Sequence, residues 1–206
     1  DHLTGGRLEI GTAIGVPQEL ARFNMTMAEA RERNEEIVAI LDAALSDRII
    51  SHRGKYFSFA DLRILPRPLQ QPHPLIFFGG SSEGALAMGA RHCDVFAMFG
   101  EPLAATAQRM AEFRARAAVY GRTPTYNMSF RPILGPTEDR AWARASVIHR
   151  SIVASRGTPP PTPQNAGSQR LLEAAARGEI HDRCLWTPIA AATAVKPRLL
   201  QSVRTA

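Results

Sequence analysis

Cysteine is nearly missing: the 206 residues hold two, Cys93 and Cys184, with no CxxC pair and no histidine pair at metal-ligand spacing beside them. That argues against a disulfide framework or a zinc site, and both thiols are expected to be reduced and packed in a core. No stretch approaches the roughly 18 consecutive apolar residues of a membrane-spanning helix. The opening residues Asp1-His2-Leu3-Thr4-Gly5-Gly6 carry neither the basic nor the apolar region of a secretory leader, so a cytoplasmic location is expected. Acids are outnumbered, 19 against 25 bases, for a formal charge of +6. Such an excess draws polyanions. Yet the arginines alternate with acids, as in Glu29-Ala-Arg31-Glu32-Arg33-Asn34-Glu35-Glu36, and no aromatic-plus-basic RNA motif or recognition-helix pattern accompanies them. A nucleic-acid module is therefore disfavoured, while a basic patch for an anionic cofactor or substrate stays compatible. Hydrophobic residues make up 45% and charged residues 21%, which is ordinary globular usage and enough for a packed core.

Along the chain, residues 7–14 are β-leaning after a Thr-Gly-Gly turn, and a loop is expected through Pro17. From 26 to 45, Met27, Ala30, Ile37, Leu41 and Leu45 recur at helical spacing, which predicts an amphipathic helix. Residues 46–74 hold Tyr56, Phe57 and Phe59 and prolines at 66, 68, 72 and 74; an inserted hairpin around His52-Arg-Gly-Lys-Tyr-Phe57, lying over one end of a sheet, is expected. Leu75-Ile-Phe-Phe78, Gly79-Gly80-Ser81-Ser82 and a helix over 83–92 then read as strand, tight turn, helix. The same unit follows at 94–99 with a helix to Tyr120, and at 125–134 with a helix to about Ser155 that starts at the N-cap Thr137. Successive β-α units call for a parallel sheet with helical crossovers. Residues 157–163 read as a linker, 167–178 as a short helix, and nothing convincing is expected beyond Trp186.

The candidate for chemistry is Gly79-Gly80-Ser81-Ser82. Two glycines at the end of a buried strand let a ligand approach the backbone, and serine hydroxyls with a helix N-terminus offer donors to an anion. Neither GxxxxGK[ST] nor GxGxxG is present, so a Walker loop and a dinucleotide fingerprint are not indicated.

Asp1-His-Leu-Thr-Gly-Gly-Arg7, Pro17-Gln-Glu-Leu20, Pro66-Arg-Pro-Leu-Gln-Gln-Pro-His-Pro74, Phe77-Phe-Gly-Gly-Ser-Ser82 and Phe99-Gly-Glu-Pro102 resemble, in order and spacing, successive landmarks of the bacterial luciferase-like FMN-dependent monooxygenases. The last two, with Arg114-Ala-Arg-Ala-Ala118 and Gly167-Ser-Gln-Arg-Leu-Leu172, resemble the alkanesulfonate monooxygenase branch. The resemblance implies a TIM-type (β/α)8 barrel, reduced FMN supplied by an NAD(P)H-dependent flavin reductase, O2, and a small organic substrate, with sulfonates, sulfones and alkanes all compatible. A non-catalytic flavin-binding or structural relative is the alternative. Gly79, Gly80, Ser81 and Ser82 match the family's phosphate-binding turn. Phe99 stands where the branch has a site tryptophan, keeping an aromatic wall without the indole N–H. Ser129 and Arg131 stand where the branch has an arginine and a histidine, and Arg131 remains a good anion clamp; both Phe99 and Arg131 are carried over as catalytic candidates. Asn34, in place of a phosphate-contacting tyrosine, reads as surface, and His92 as a helix C-terminal residue.

A closed barrel of this type needs about 250 residues, and only four strands are legible, near 8–14, 75–79, 94–99 and 125–134. An incomplete barrel over 1–193 with an atypical tail at 194–206 is expected, with missing strands on both sides, self-association or poor solubility, and no turnover by the isolated chain.

Overall fold

The computed structural model describes residues 1–46, 49–129, 131–155, 169, 185–186 and 192–194. The expected linker at 157–163, the helix at 167–178 apart from Gln169, Cys184 and the tail from 195 lie outside the described residues.

Four strands form one sheet in the order β1 (Ile10–Thr12), β4 (Ile76–Gly79), β5 (Val95–Phe99) and β6 (Thr125–Ser129). β1 on β4 and β4 on β5 are parallel, with Ile10 to Thr12 against Ile76 to Phe78, and Phe77 to Gly79 against Val95 to Ala97. The crossovers are α3 (Glu83–His92) and α4 (Leu103–Ala118), and α5 (Glu138–Ser155) starts at Thr137, whose Oγ1 accepts from Arg140 N at 3.3 Å. This is the expected parallel α/β arrangement, and the described strands do not close into a barrel.

Several local expectations change. Pro17 starts a short helix, α1 (Pro17–Arg22), where a loop was expected, because proline's fixed φ suits a first helical position. In α2 (Met27–Ser46) Ala30, one of the expected inward positions, is buried, whereas Ile37 is 45% exposed and its neighbour Val38 is buried in its place. The strand expected over 125–134 is two: β6 and then β7 (Arg131–Ile133), which pairs with β9 (Ala192–Ala194) and so belongs to a second sheet. β8 (Leu185–Trp186) pairs antiparallel with β9, giving strand structure in a stretch where periodicity offered none. Elements of two or three residues are too short to show a period.

The hairpin is present as β2 (Ile49–Arg53) and β3 (Ser58–Arg63), antiparallel, with the register slipping between Ile50 and His52. Asp61 takes a positive φ of 51° there, and Ser51 Oγ accepts from its amide at 2.9 Å. The hydrogen bonds of its tip go to Glu36 of α2.

The chain divides into two units, Asp1–Ala97 with Met110–Asn127, and Met98–Arg109 with Met128–Ala206. The first has a core of Ile76, Phe78, Phe96 and Phe113, each at most 1% exposed. Phe78 stacks on Phe96 with centroids 4.7 Å apart and meets Phe113 at 5.2 Å. In the second, Ile133 and Ala145 are buried with Trp142 and Ile148 against them.

On α3, Gly89 leaves the space that the Phe78 ring fills, and a Cβ there would overlap the ring. Gly89→Ala is therefore expected to destabilise the chain by about 1–3 kcal/mol through overpacking, although alanine is the better helix former. Urea titration checks it; an unchanged or raised midpoint would contradict this packing.

Candidate functional site

Alternation along β4 turns Ile76 and Phe78 into the core and brings Gly79 out at the strand's carboxyl end. The chain then turns into α3. A Cβ on Gly80 would lie 2.6 Å from Ala85 Cβ, so only glycine allows this close approach to the first helical turn. Ser82 is the N-cap, with φ −77° and ψ 155°, and its Oγ accepts from Ala85 N at 3.3 Å. Its hydroxyl proton remains available to a ligand acceptor, and Ser81 and Ser82 are both half-buried rather than sealed in the core. The positive end of the α3 dipole lies at this turn. Glu83, in that first turn, is held by both terminal nitrogens of Arg116, whose hydrogen bond keeps the carboxyl below its ordinary pKa.

Against the same turn lies Arg31 of α2. A Cβ on Gly84 would be 3.3 Å from Arg31 Cδ, and Arg31 Nε is buried with no hydrogen-bond partner. A glycine-made cradle, a helix N-terminus and an unsatisfied cationic nitrogen suit a phosphate group.

In the second unit, Phe99 ends β5 with 49% of its surface exposed, and Gly100 N donates to Ser129 O at 3.1 Å. The Phe99-Gly100 segment thus meets the end of β6, and Arg131 opens β7 two residues further on, its backbone in register with Ala192. Asn34 is half-buried on α2. His92 is the last residue of α3, as expected, and its Nδ1 is 2.9 Å from Asp42 Oδ2.

Two features were not legible from the sequence. At the amino ends of β4 and β5, Asp94 Oδ2 accepts from Ile76 N at 2.9 Å while Oδ1 pairs with Arg122 at 2.8 Å. His73, 7% exposed, lies 3.9 Å from both Asp42 and Asp94, and its Nδ1 is 2.9 Å from Pro74 O. His73, Asp94 and Arg122, with Cys93 and Thr123, border a cavity of about 240 Å³ at the opposite end of the strands from the Gly-Gly-Ser-Ser turn. Polar residues directly before apolar strands, His73 and Asp94, were the available signal. Burial, with Asp94 adding to it, pushes the Cys93 thiol up to about 12.

The second is Glu36. Its carboxylate accepts from the backbone amides of Lys55, Tyr56 and Phe57 at 2.7, 3.1 and 3.0 Å, with His52 at 3.4 Å. Burial works to raise its pKa, and the amides with His52 overcome this, so it stays below the ordinary glutamate range. One turn earlier, Glu32 takes the Tyr56 hydroxyl at 2.7 Å and Lys55 Nζ at 2.6 Å, and Arg33 lies 4.5 Å from the Tyr56 ring centroid. Spacing on α2 shows the acids but not that a chain reversal will bring amides to them.

In parallel α/β sheets the carboxyl ends of the strands, where this glycine-cradled, serine-capped turn lies, are the general place of ligand sites. Residues 1–201 match the luciferase-like monooxygenase family, and the chain belongs to that family. Among solved structures it is similar to the monooxygenase RslO1 from Streptomyces bottropensis, at 22% identity and TM-score 0.57 over 85% of this chain and 54% of that one. It is likewise similar to the EDTA monooxygenase EmoA from Chelativorans sp. BNC1, at 24% and 0.58 over 71% and 42%. A third is the riboflavin lyase RcaE, whose structure holds modified FMN and riboflavin, at 21% and 0.58 over 72% and 40%. The chain spans between 40% and 54% of the length of these proteins. They share its fold, and the four parallel strands are part of a TIM-type barrel architecture.

Two outcomes follow. Glu36 is depressed in the folded chain, so its clamp contributes fully above the ordinary glutamate range and is lost as pH falls through the lower folded value. Amide-exchange protection at Lys55, Tyr56 and Phe57 should fall in that window, and Glu36→Gln should lower it at neutral pH; protection indifferent to both would refute the clamp. Cys93 should resist alkylation at neutral pH in the native chain and react once it is unfolded, read by peptide mass spectrometry.

Proposed function

We propose that the protein is the flavin-binding part of an FMN-dependent monooxygenase acting on a small organosulfur-class or related organic substrate, with NAD(P)H-dependent flavin reductase as partner. The observation that carries the reading is the Gly79-Gly80-Ser81-Ser82 turn, where Gly80 packs on Ala85 and Ser82 caps α3. In this reading the turn's amides and the Ser81 and Ser82 hydroxyls hold the FMN phosphate, where the helix dipole favours negative charge. Reduced FMN, when bound, supplies the electrons with which one atom of O2 enters the substrate and the other leaves as water.

On the substrate side, Phe99 offers an aromatic wall without a donor. Arg131 offers a two-pronged clamp for an anionic group such as a sulfonate. A cytoplasmic setting agrees with the need for a reductase. A second reading is a flavin-binding relative without turnover, in which the same Gly79-Gly80-Ser81-Ser82 turn holds the cofactor.

Titration of flavin fluorescence tests the shared step. FMN emission should be quenched by the chain, and Ser81→Ala with Ser82→Ala should weaken binding by about 1–3 kcal/mol as charge-assisted hydrogen bonds are lost. Absence of quenching would refute both readings. Oxygenation of a sulfonate with FMNH2 and O2 separates them: product formation selects the monooxygenase, and tight flavin without product selects the silent relative.

A further inference from the structure

Arg31 is the one described arginine whose Nε is buried, unpartnered and set against the first turn of α3. Its stem runs beside Gly84, with Cδ 3.3 Å from where a Cβ would be, so a side chain there would push the stem back by a few tenths of an ångström. The arginine two positions on is different: Arg33 is tied to Glu29 at 2.8 Å and lies over the Tyr56 ring. Glu35 Oε1 lies 3.5 Å from the same point at Gly84 and forms no ion pair with Arg31. A half-buried cation beside the positive end of a helix dipole is electrostatically unfavourable, and a buried N–H without an acceptor adds to the cost. Both are relieved by one event, the arrival of an anion between the guanidinium and the turn. A dianionic phosphate monoester has the charge and the acceptor oxygens for it.

We propose that Arg31 is the cationic partner of the flavin's phosphate in this chain, and so the residue that makes it select FMN over flavins without a phosphate. The inference rests on the flavin reading above. Arg31 would donate to the phosphate from α2 while the 80–82 amides and hydroxyls donate from the turn, so that one anion joins α2 to α3. Arg31 positions the cofactor and takes no part in the reaction.

The test is a fluorescence titration of the full 206-residue chain with FMN and with riboflavin, on the unaltered protein, Arg31→Ala, Arg31→Lys and, as a neighbouring control, Arg33→Ala. Arg31→Ala is expected to weaken FMN about ten- to a hundredfold and to leave riboflavin within about twofold, collapsing the preference. Arg31→Lys should recover part of the loss, since it keeps the charge without the fork. Arg33→Ala should leave the FMN-to-riboflavin ratio unchanged. Equal weakening of both flavins by Arg31→Ala, or no weakening, overturns the role of Arg31 while leaving the flavin reading standing. If the unaltered chain binds neither flavin, the flavin reading fails and takes this one with it. Should Arg31→Ala not fold, Arg31→Lys decides: a ratio identical to that of the unaltered chain, with no change in the salt dependence of FMN binding, overturns the assignment.

Discussion

Phe78 occupies the space that Gly89 leaves open, and this contact sets how near α3 lies to β4. A large ring buried to 1% exposure gains apolar burial and stacking on Phe96, and it can do so only because the helix presents bare backbone at that point. The same closeness puts the first turn of α3 against Gly80, where a second Cβ would collide with Ala85. The geometry of the Gly-Gly-Ser-Ser turn is thus a consequence of core packing two turns further along the helix.

The two ends of the strands are built differently. At the amino ends, Asp94 satisfies the first amide of β4 and pairs with Arg122, while Asp42 reaches from α2 to His92. Buried polar groups cost free energy unless partnered, and here the partners come from separate segments, so satisfying them joins those segments. At the carboxyl end of β4, by contrast, the chain offers glycines, half-buried hydroxyls and an arginine without a protein acceptor. This division matches the general behaviour of parallel barrels, in which stability is concentrated at one face and ligand chemistry at the other.

The inserted hairpin illustrates a second constraint. Its tip reverses direction over a few residues, leaving the amides of Lys55, Tyr56 and Phe57 without strand partners, and Glu36 takes all three. A carboxylate facing several amides needs no neighbouring cation to stay ionised. An exposed loop with two adjacent aromatics is in this way held as an ordered element, and α2 serves both the hairpin through Glu32 and Glu36 and the α3 turn through Arg31.

The range of each interaction decides how much of this is legible in the sequence. Apolar runs ending in glycine at Gly79 and Gly100, the cap at Thr137 and the helical spacing from 26 to 45 are local properties, and they determined the parallel strands and their crossovers, as the aromatic- and proline-rich stretch 46–74 determined the hairpin. Local patterning could not separate Ile37 from Val38, because adjacent apolar residues differ by only a 100° rotation and the neighbour that chooses between them lies elsewhere in the chain. It missed α1, and it missed β8 and β9, which have strand geometry through pairing and not propensity. The candidate site divides in the same way: the glycines and serines of the turn were visible as a motif, whereas Arg31 was one of two arginines on a charged helix. Tertiary packing alone decided that its stem should run beside Gly84 and its nitrogen be left without an acceptor, because the distance between α2 and α3 is set by side chains far apart in sequence.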